Sequence, residues 1–92
     1  MAKIYVVSRS SDATIKAFKV ERESYADILA YVVNRESDAK SDVKWYYVDR
    51  ASDATTKLFW VDRESDAKLK VFFVDRESYA KWMKGHPFQN RL

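Results

Sequence analysis

The chain has 92 residues, a length that fits one small domain whose core is barely large enough to be adequate on its own. Hydrophobic residues make up 47% of the chain and aromatic residues 15%, and this content excludes a disordered protein. The formal net charge is only +3. The basic excess lies towards the two ends, in Lys3, Arg9, Lys16, Lys19, Lys81, Lys84 and Arg91. The sequence therefore lacks the uninterrupted basic face that is typical of nucleic-acid binders.

There is no cysteine, so no disulfide contributes to stability, which fits a reducing compartment. The apolar run between Ile4 and Val7 is too short for a signal peptide, and no apolar stretch approaches the ~18 residues of a transmembrane helix. We expect a cytoplasmic protein that does not enter a membrane.

A unit of about 13 residues is repeated along the chain, and it dominates the sequence. A valine marks each of the six copies: Val7, Val20, Val33, Val48, Val61 and Val74. An arginine follows two residues later: Arg9, Arg22, Arg35, Arg50, Arg63 and Arg76. A serine follows after two more residues, and an alanine after a further two: Ala13, Ala26, Ala39, Ala54, Ala67 and Ala80. Four shared positions in each copy predict a repeat protein.

The apolar part of each copy predicts a strand, because it is short and rich in β-branched and aromatic residues. The predicted strands are 3–7, 15–20, 28–33, 43–48, 57–61 and 69–74. The segments between them are too short for a helix, and their Asp and Ser side chains can cap a single turn. The third copy is longer by two residues, most simply Ser41-Asp42, which predicts a turn at that point. We expect one domain over residues 1–84 and a C-terminal tail over 85–92, after the Gly85-His86-Pro87 break.

The predicted fold is all-β, and both faces of its strands are partly apolar. One face carries an aromatic row: Tyr5, Phe18, Tyr31, Tyr46, Phe59 and Phe72. Such a sheet must close, be covered or pair with another copy. Six strand–turn repeats favour an antiparallel meander or a small barrel, and a parallel β-solenoid is the alternative. A solenoid would stack arginine on arginine and lysine on lysine, which disfavours it.

The repeat cores Arg22-Glu23-Ser24-Tyr25-Ala26 and Arg63-Glu64-Ser65-Asp66-Ala67 resemble those of a functionally uncharacterised family of small bacterial proteins. Members of that family carry tandem Glu-Ser-x-Ala units between Val/Phe/Tyr strands, with an aromatic residue after the last unit, as Trp82 is here. The resemblance extends from Lys3 to Trp82. It implies a repeat fold and supplies no activity and no site residues.

No catalytic, cofactor or metal site is predicted. His86 is the only histidine, and its position in the tail predicts a solvated residue rather than a catalytic one. Carboxylates recur in the copies, at Asp38, Asp53 and Asp66 and at Asp49, Asp62 and Asp75. An active site is built once, whereas these are built repeatedly, and calcium-binding β-rolls need glycines that the copies lack. We therefore expect capping and ion pairing from them.

Two functions remain. We expect a non-enzymatic module for protein–protein interaction or self-assembly, with an unknown partner protein or a second copy as the ligand. The alternative is binding of nucleic acid or another polyanion through the row formed by Arg9, Arg22, Arg35, Arg50, Arg63 and Arg76. Acidic neighbours of these arginines make the alternative the weaker of the two.

Because a small residue recurs at the alanine position, Ala67→Glu is expected to disrupt packing and to lower the melting temperature by several degrees or to prevent folding. Circular dichroism with thermal melting measures this. A melt identical to that of the unmodified protein would mean that the alanine position is not packed.

Overall fold

The computed structural model describes residues 2–83, 85–89 and 91–92, and it contains seven strands in this part of the chain. They are β1 (Ala2–Val6), β2 (Ile15–Lys19), β3 (Ile28–Val32), β4 (Lys44–Tyr47), β5 (Thr56–Trp60), β6 (Leu69–Phe73) and β7 (Lys81–Trp82). The first six agree with the predicted strands to within one residue at each end. The short β7 was not predicted, and the domain boundary predicted at Lys84 lies outside the described residues.

The first six strands form a closed barrel in which every pairing is parallel. Their order around the barrel is β1, β5, β2, β6, β3, β4, after which β4 pairs with β1. The all-β class and the small barrel are thus confirmed, and the antiparallel meander is wrong. A solenoid is wrong as well, because consecutive copies are generally not neighbours: β5 lies between β1 and β2. The two-residue β7 pairs antiparallel with β3.

A large stagger between neighbouring strands explains how connections of eight residues or so suffice for a parallel fold. Val6 at the end of β1 and Ile15 at the start of β2 both lie opposite Leu58 of β5. Lys19 and Ile28 likewise both lie opposite Val71 of β6. Measured along the strand direction, each of these strands begins beside the residue at which the preceding strand of the chain ends, so the chain need not run back along the sheet. The usual requirement for a crossover of a dozen or more residues does not apply here.

Each connection between strands is here called a crossover, and four of the five crossovers that join the barrel strands pass outside the strand that lies between the two strands they join. The first is held to β5 at both ends: Val7 N–H donates to the Leu58 carbonyl (2.9 Å) and Thr14 N–H to the Lys57 carbonyl (2.8 Å). The second is held to β6 by the same pair of bonds, from Val20 and Asp27. Its carbonyl partners on β6 are those of Val71 and Lys70, and the backbone polar groups at both ends are thereby satisfied.

A three-residue 3-10 turn lies in the middle of each crossover: Ser10–Asp12, Glu23–Tyr25, Glu36–Asp38, Ala51–Asp53, Glu64–Asp66 and Glu77–Tyr79. The repeated arginine is the extended residue before each turn, and no side chain caps it. The repeated alanine closes the turn through its backbone, as in the 3.1 Å bond from Ala67 N–H to the Glu64 carbonyl. The expected Asp and Ser caps are therefore wrong, and these turns are closed by backbone bonds.

The barrel interior is filled by alternate residues of the six strands, as a period of two requires. Its buried cluster comprises Ala2, Ile4, Ile15, Ala17, Ile28, Ala30, Trp45, Leu58, Leu69 and Val71, joined by Leu92 from the tail. Trp45 is the largest of these, and its Nε1–H donates to the Asp42 carbonyl at 2.7 Å. The polar group of this buried indole thus has its partner.

A second apolar layer lies outside the sheet, beneath a crossover. Val20, Ala26 and Leu29 are buried there against Phe18 and Phe72. In the second crossover the repeated valine and alanine thus pack over the aromatic residue of β6, the strand that this crossover passes. At this crossover the apolar outer face is covered by the chain itself, and the small side chain of Ala26 fits beneath the crossover.

The two extra residues of the third copy shift the path of the chain by one strand. Successive strands normally step over one neighbour, so after β1, β2 and β3 another such step would place β4 where β1 already lies. The third crossover instead leads to the position next to β3. The strands β1, β2 and β3 thus form a first circuit of the barrel, and β4, β5 and β6 form a second circuit whose strands lie between those of the first. Asp42 is buried in this crossover and accepts a bond from Leu92 N–H through Oδ1 at 3.2 Å.

Deletion of Ser41 and Asp42, which makes the third copy as long as the others, is expected to abolish folding, because the shortened crossover drives β4 towards the place of β1. The control keeps the length with Ser41→Gly and Asp42→Asn, whose amide oxygen can still accept the bond from Leu92. Far-ultraviolet circular dichroism and urea denaturation measure both. A deletion variant as stable as the control would contradict the role of length.

Candidate functional site: the open end of the barrel

Equivalent positions of the six copies lie in rings around the barrel. Ile4 of β1 lies opposite Thr56 of β5. The residue of β5 that is equivalent to Ile4 in the repeat is Leu58, two residues further along. The same offset of two residues holds at every other pairing of the six strands, including the closure between β4 and β1. A constant offset that closes on itself relates the copies by rotation. Each repeat position is therefore found six times at one level, about 60° apart.

At the carboxyl ends of the strands, one such ring forms an apolar surface that we call the open mouth. It consists of the last inward-facing residue of each strand: Val6, Lys19, Val32, Tyr47, Trp60 and Phe73. Five of the six are apolar or aromatic, yet Val6 is 43% exposed and Val32 and Tyr47 are each 39% exposed. Parallel barrels and open α/β sheets place their functional sites at this same end, which is an analogy of fold only.

Aromatic contacts hold the mouth together. The ring of Phe73 packs edge-to-face on buried Trp45 at 5.5 Å and on Trp60 at 5.9 Å between centroids. The one charged member, Lys19, places Nζ 5.6 Å from the centroid of Phe73. Partial burial raises the pKa of the Tyr47 phenol above its ordinary value of 10.0, so this ring is neutral at physiological pH. The mouth is therefore an ordered aromatic surface with a single cation.

The opposite end of the barrel is plugged by the C-terminal tail. Leu92 is 4% exposed and belongs to the buried core, and Phe88 and Trp82 pack against the same core. Among residues 2–83, 85–89 and 91–92, the chain covers this end of the barrel and leaves the mouth uncovered.

His86 fastens this plug and is not the solvated residue that the sequence predicted. Its Nε2 lies 2.7 Å from the Lys68 carbonyl, and its Nδ1 accepts the Phe88 N–H at 3.1 Å. The imidazole stacks on Trp82 at 5.5 Å, and Asp27 Oδ2 is 3.7 Å from Nε2. These contacts give His86 a structural role in holding the tail.

The six arginines of the candidate anion-binding row are all exposed, and the winding spreads them around the barrel instead of stacking them. Within the described residues none of them forms an ion pair. Arg22 and Arg76 lie over the rings of Tyr25 and Tyr79, at 5.8 and 5.7 Å. The ion pairing expected for the arginines is thus not found, and lysines pair instead: Lys3, Lys44 and Lys70 with Glu36, Glu77 and Glu64.

Charge is divided sharply between strands and crossovers. All 14 carboxylates of the chain lie in crossovers, which also carry eight basic residues and so have a net charge of −6. The seven strands carry seven lysines and no acidic residue. A carboxylate follows the mouth residue by two positions in four copies, at Glu21, Asp49, Asp62 and Asp75. The apolar mouth is therefore bordered by crossovers that are acidic in sum.

Equivalent niches open beside the mouth, between adjacent crossovers. The cavities at copies 2, 4 and 6 measure about 270, 190 and 410 Å³. Each is lined by the outer aromatic residue, the mouth residue, the repeated valine and the next carboxylate of its own copy, and by a glutamate of the neighbouring crossover. In copy 6 these residues are Phe72, Phe73, Val74, Asp75, Tyr79 and Glu23.

Among the described residues, no group of three or more histidine or acidic side chains is arranged to hold a metal ion. No helix in that part of the chain is both long and apolar enough to cross a membrane.

The profile of the 7(1) septoil knot domain family matches residues 1–83, nearly the whole chain, and the protein belongs to this family. The match agrees with a path that circles the barrel twice, with crossovers that pass outside strands of the other circuit. No match was found among curated proteins or among solved structures.

Leu92→Ala is expected to lower the free energy of unfolding by about 2–4 kcal/mol, because it leaves a cavity in the buried core. Gln89→Ala, at an exposed residue of the tail, is the control and is expected to have little effect. Urea denaturation followed by tryptophan fluorescence measures both. Equal stabilities would show that the tail does not plug the barrel in solution.

Proposed function

We propose that the protein is a non-enzymatic binding module that receives a partner polypeptide at the open mouth. The observation that carries this proposal is the uncovered ring of aromatic and aliphatic residues at one end of a barrel whose other end is plugged. Exposed aromatic residues in an ordered setting are the usual anchors of protein interfaces. The closed sheet leaves the six barrel strands no free edge, so binding by strand addition is disfavoured for them.

Charge selects the kind of partner. Crossovers with a net charge of −6 border the mouth, so a segment with apolar side chains flanked by lysine or arginine complements it. A second copy placed mouth to mouth would bring two such acidic borders together, which disfavours self-association at this face. We therefore commit to a basic, amphipathic segment of another protein.

The same charge balance weakens the polyanion alternative. The six arginines project from segments in which carboxylates outnumber basic residues, so a phosphate backbone would meet net repulsion. The spread of the arginines around the barrel also keeps them from lining one groove. Binding of a nucleic acid is nevertheless a defined outcome of the test below.

The test titrates the protein with a short amphipathic peptide of leucine and lysine and with its leucine–glutamate counterpart, and follows the fluorescence of Trp60 and the other tryptophans. Only the basic peptide is expected to bind. Val6→Lys together with Val32→Lys is expected to weaken binding at least tenfold, because it places two cations in the mouth. The matched control, Ser11→Lys with Ser52→Lys, introduces the same two cations at exposed residues of crossovers that belong neither to the mouth nor to the niches.

Three results would overturn the proposal. Binding of the basic peptide that the mouth variant leaves unchanged would place the site elsewhere. Dimerisation in analytical ultracentrifugation that the mouth variant abolishes would make a second copy the occupant. Tight binding of a single-stranded oligonucleotide that disappears at moderate salt and on substitution of the arginines would favour the polyanion function.

A further inference from the structure

Two crossovers depart from the repeat pattern at one position, and the winding makes them neighbours. The last residue of the 3-10 turn is Tyr25 in copy 2 and Tyr79 in copy 6, whereas the other four copies carry Asp12, Asp38, Asp53 and Asp66. The second crossover passes over β6 and the sixth leads away from β6 past β3, the strand next to it. Residues 54 positions apart in the chain therefore belong to adjacent crossovers, and the niche of copy 6 opens between them.

This niche is the largest of the three and combines aromatic rings with carboxylates. Phe72, Phe73 and Tyr79 supply three rings, and Asp75 and Glu23 supply two carboxylates from the two crossovers. In the described part of the chain neither carboxylate forms an ion pair. In contrast, the equivalent niche of copy 4 has Asp53 in place of the tyrosine, and that of copy 2 has Lys19 in place of Phe73.

Two cations of the chain already rest on the rings of this niche. Lys19 Nζ lies 5.6 Å from the centroid of Phe73, and the guanidinium of Arg76 lies 5.7 Å from that of Tyr79. Both distances are those of cation–π interactions. The rings therefore show within the chain which kind of group they attract.

We propose that the niche of copy 6 binds a lysine or arginine side chain of the partner, with its cation against Phe73 and Tyr79 and its charge balanced by Asp75 and Glu23. The inference rests on the proposed function, since it names the basic residue that flanks the apolar part of the partner. The alkyl stem of such a side chain contacts Val74 and Phe72, which line the same cavity.

Lys19 is an internal competitor in this arrangement. Its ammonium occupies the ring face that an incoming cation requires, and it adds a repulsive charge to the mouth. Lys19→Val replaces it with the residue that copies 1 and 3 carry at the equivalent position, Val6 and Val32. This substitution is therefore compatible with the fold, and it is expected to tighten binding of the cation.

The experiment uses a free probe, the N-acetyl methylamide of lysine, with the corresponding glutamate derivative as the control. Binding is followed by nuclear magnetic resonance from the ring signals of Phe73 and Tyr79. Tyr79→Asp, which introduces the residue that four other copies carry, is expected to weaken lysine binding at least fivefold, and Lys19→Val to strengthen it at least twofold. Tyr25→Asp makes the same change in the niche of copy 2, which Lys19 lines, and is expected to leave lysine binding unchanged.

The outcomes separate this inference from the proposed function. Equal effects of Tyr79→Asp and Tyr25→Asp, or the absence of any shift of the Phe73 signals, would overturn the niche, even if the amphipathic peptide still binds at the mouth. If the lysine probe binds in the niche while the mouth variant leaves binding of the peptide unchanged, the niche is supported and the mouth is excluded as the peptide site. Binding of the glutamate derivative with equal affinity would overturn the charge argument.

Discussion

The stagger of two residues between neighbouring strands is the constraint on which the rest of this structure depends. Measured along the strand direction, it places the start of a strand beside the end of the preceding strand, so a short crossover with one 3-10 turn can join parallel strands. It also closes the barrel on itself with every repeat position in a ring. The same stagger makes the barrel short and broad, in keeping with overall dimensions of 33 × 29 × 21 Å. A smaller offset between neighbouring strands would require longer crossovers and would not produce this open mouth.

Interlacing of two circuits follows from this stagger together with one irregular step. The third crossover is the only one in which the chain moves to an adjacent strand, and its two additional residues and buried Asp42 mark that step. All strand pairings of the sheet except that between β3 and β4 join distant residues, from 43 positions apart for Ala2 and Trp45 to 54 for Ile28 and Trp82. Such a sheet acquires few of its contacts until both circuits are in place, so contact order and loop closure are expected to make folding slow.

The sequence was sufficient for the strands and the repeat, because these depend on local periodicity, while the two apolar faces left closure of the sheet as one of three possible outcomes. It was insufficient for strand order, since the spacing of Val7 and Val20 is the same whether the strands that precede them are neighbours or have β5 between them. The antiparallel choice rested on the repulsion of arginines and lysines stacked in a solenoid, and it failed because the two circuits spread equivalent charges around the barrel instead of stacking them. His86 gave no local signal of burial, because its partners, Lys68 and Asp27, are distant in sequence. The mouth could be found only once the inward face and the uncovered end were known.

In a ring of nearly equal copies, a distinct site can arise only where the copies differ. The valine and alanine of each crossover repeat, whereas the buried positions of the strands are nearly all apolar but differ in size, as Ile4, Ala17 and Trp45 do at one repeat position. At two positions the copies differ in chemical character: the mouth residue is valine, lysine, tyrosine, tryptophan or phenylalanine, and the final residue of the 3-10 turn is aspartate or tyrosine. Both of these positions lie at or beside the uncovered end. Packing does not constrain these two positions, so they are free to change. The aromatic residues Phe73 and Tyr79 line the same niche although they occupy different positions of the repeat. A symmetric barrel thus presents an asymmetric surface, which is the condition for recognising one orientation of a partner.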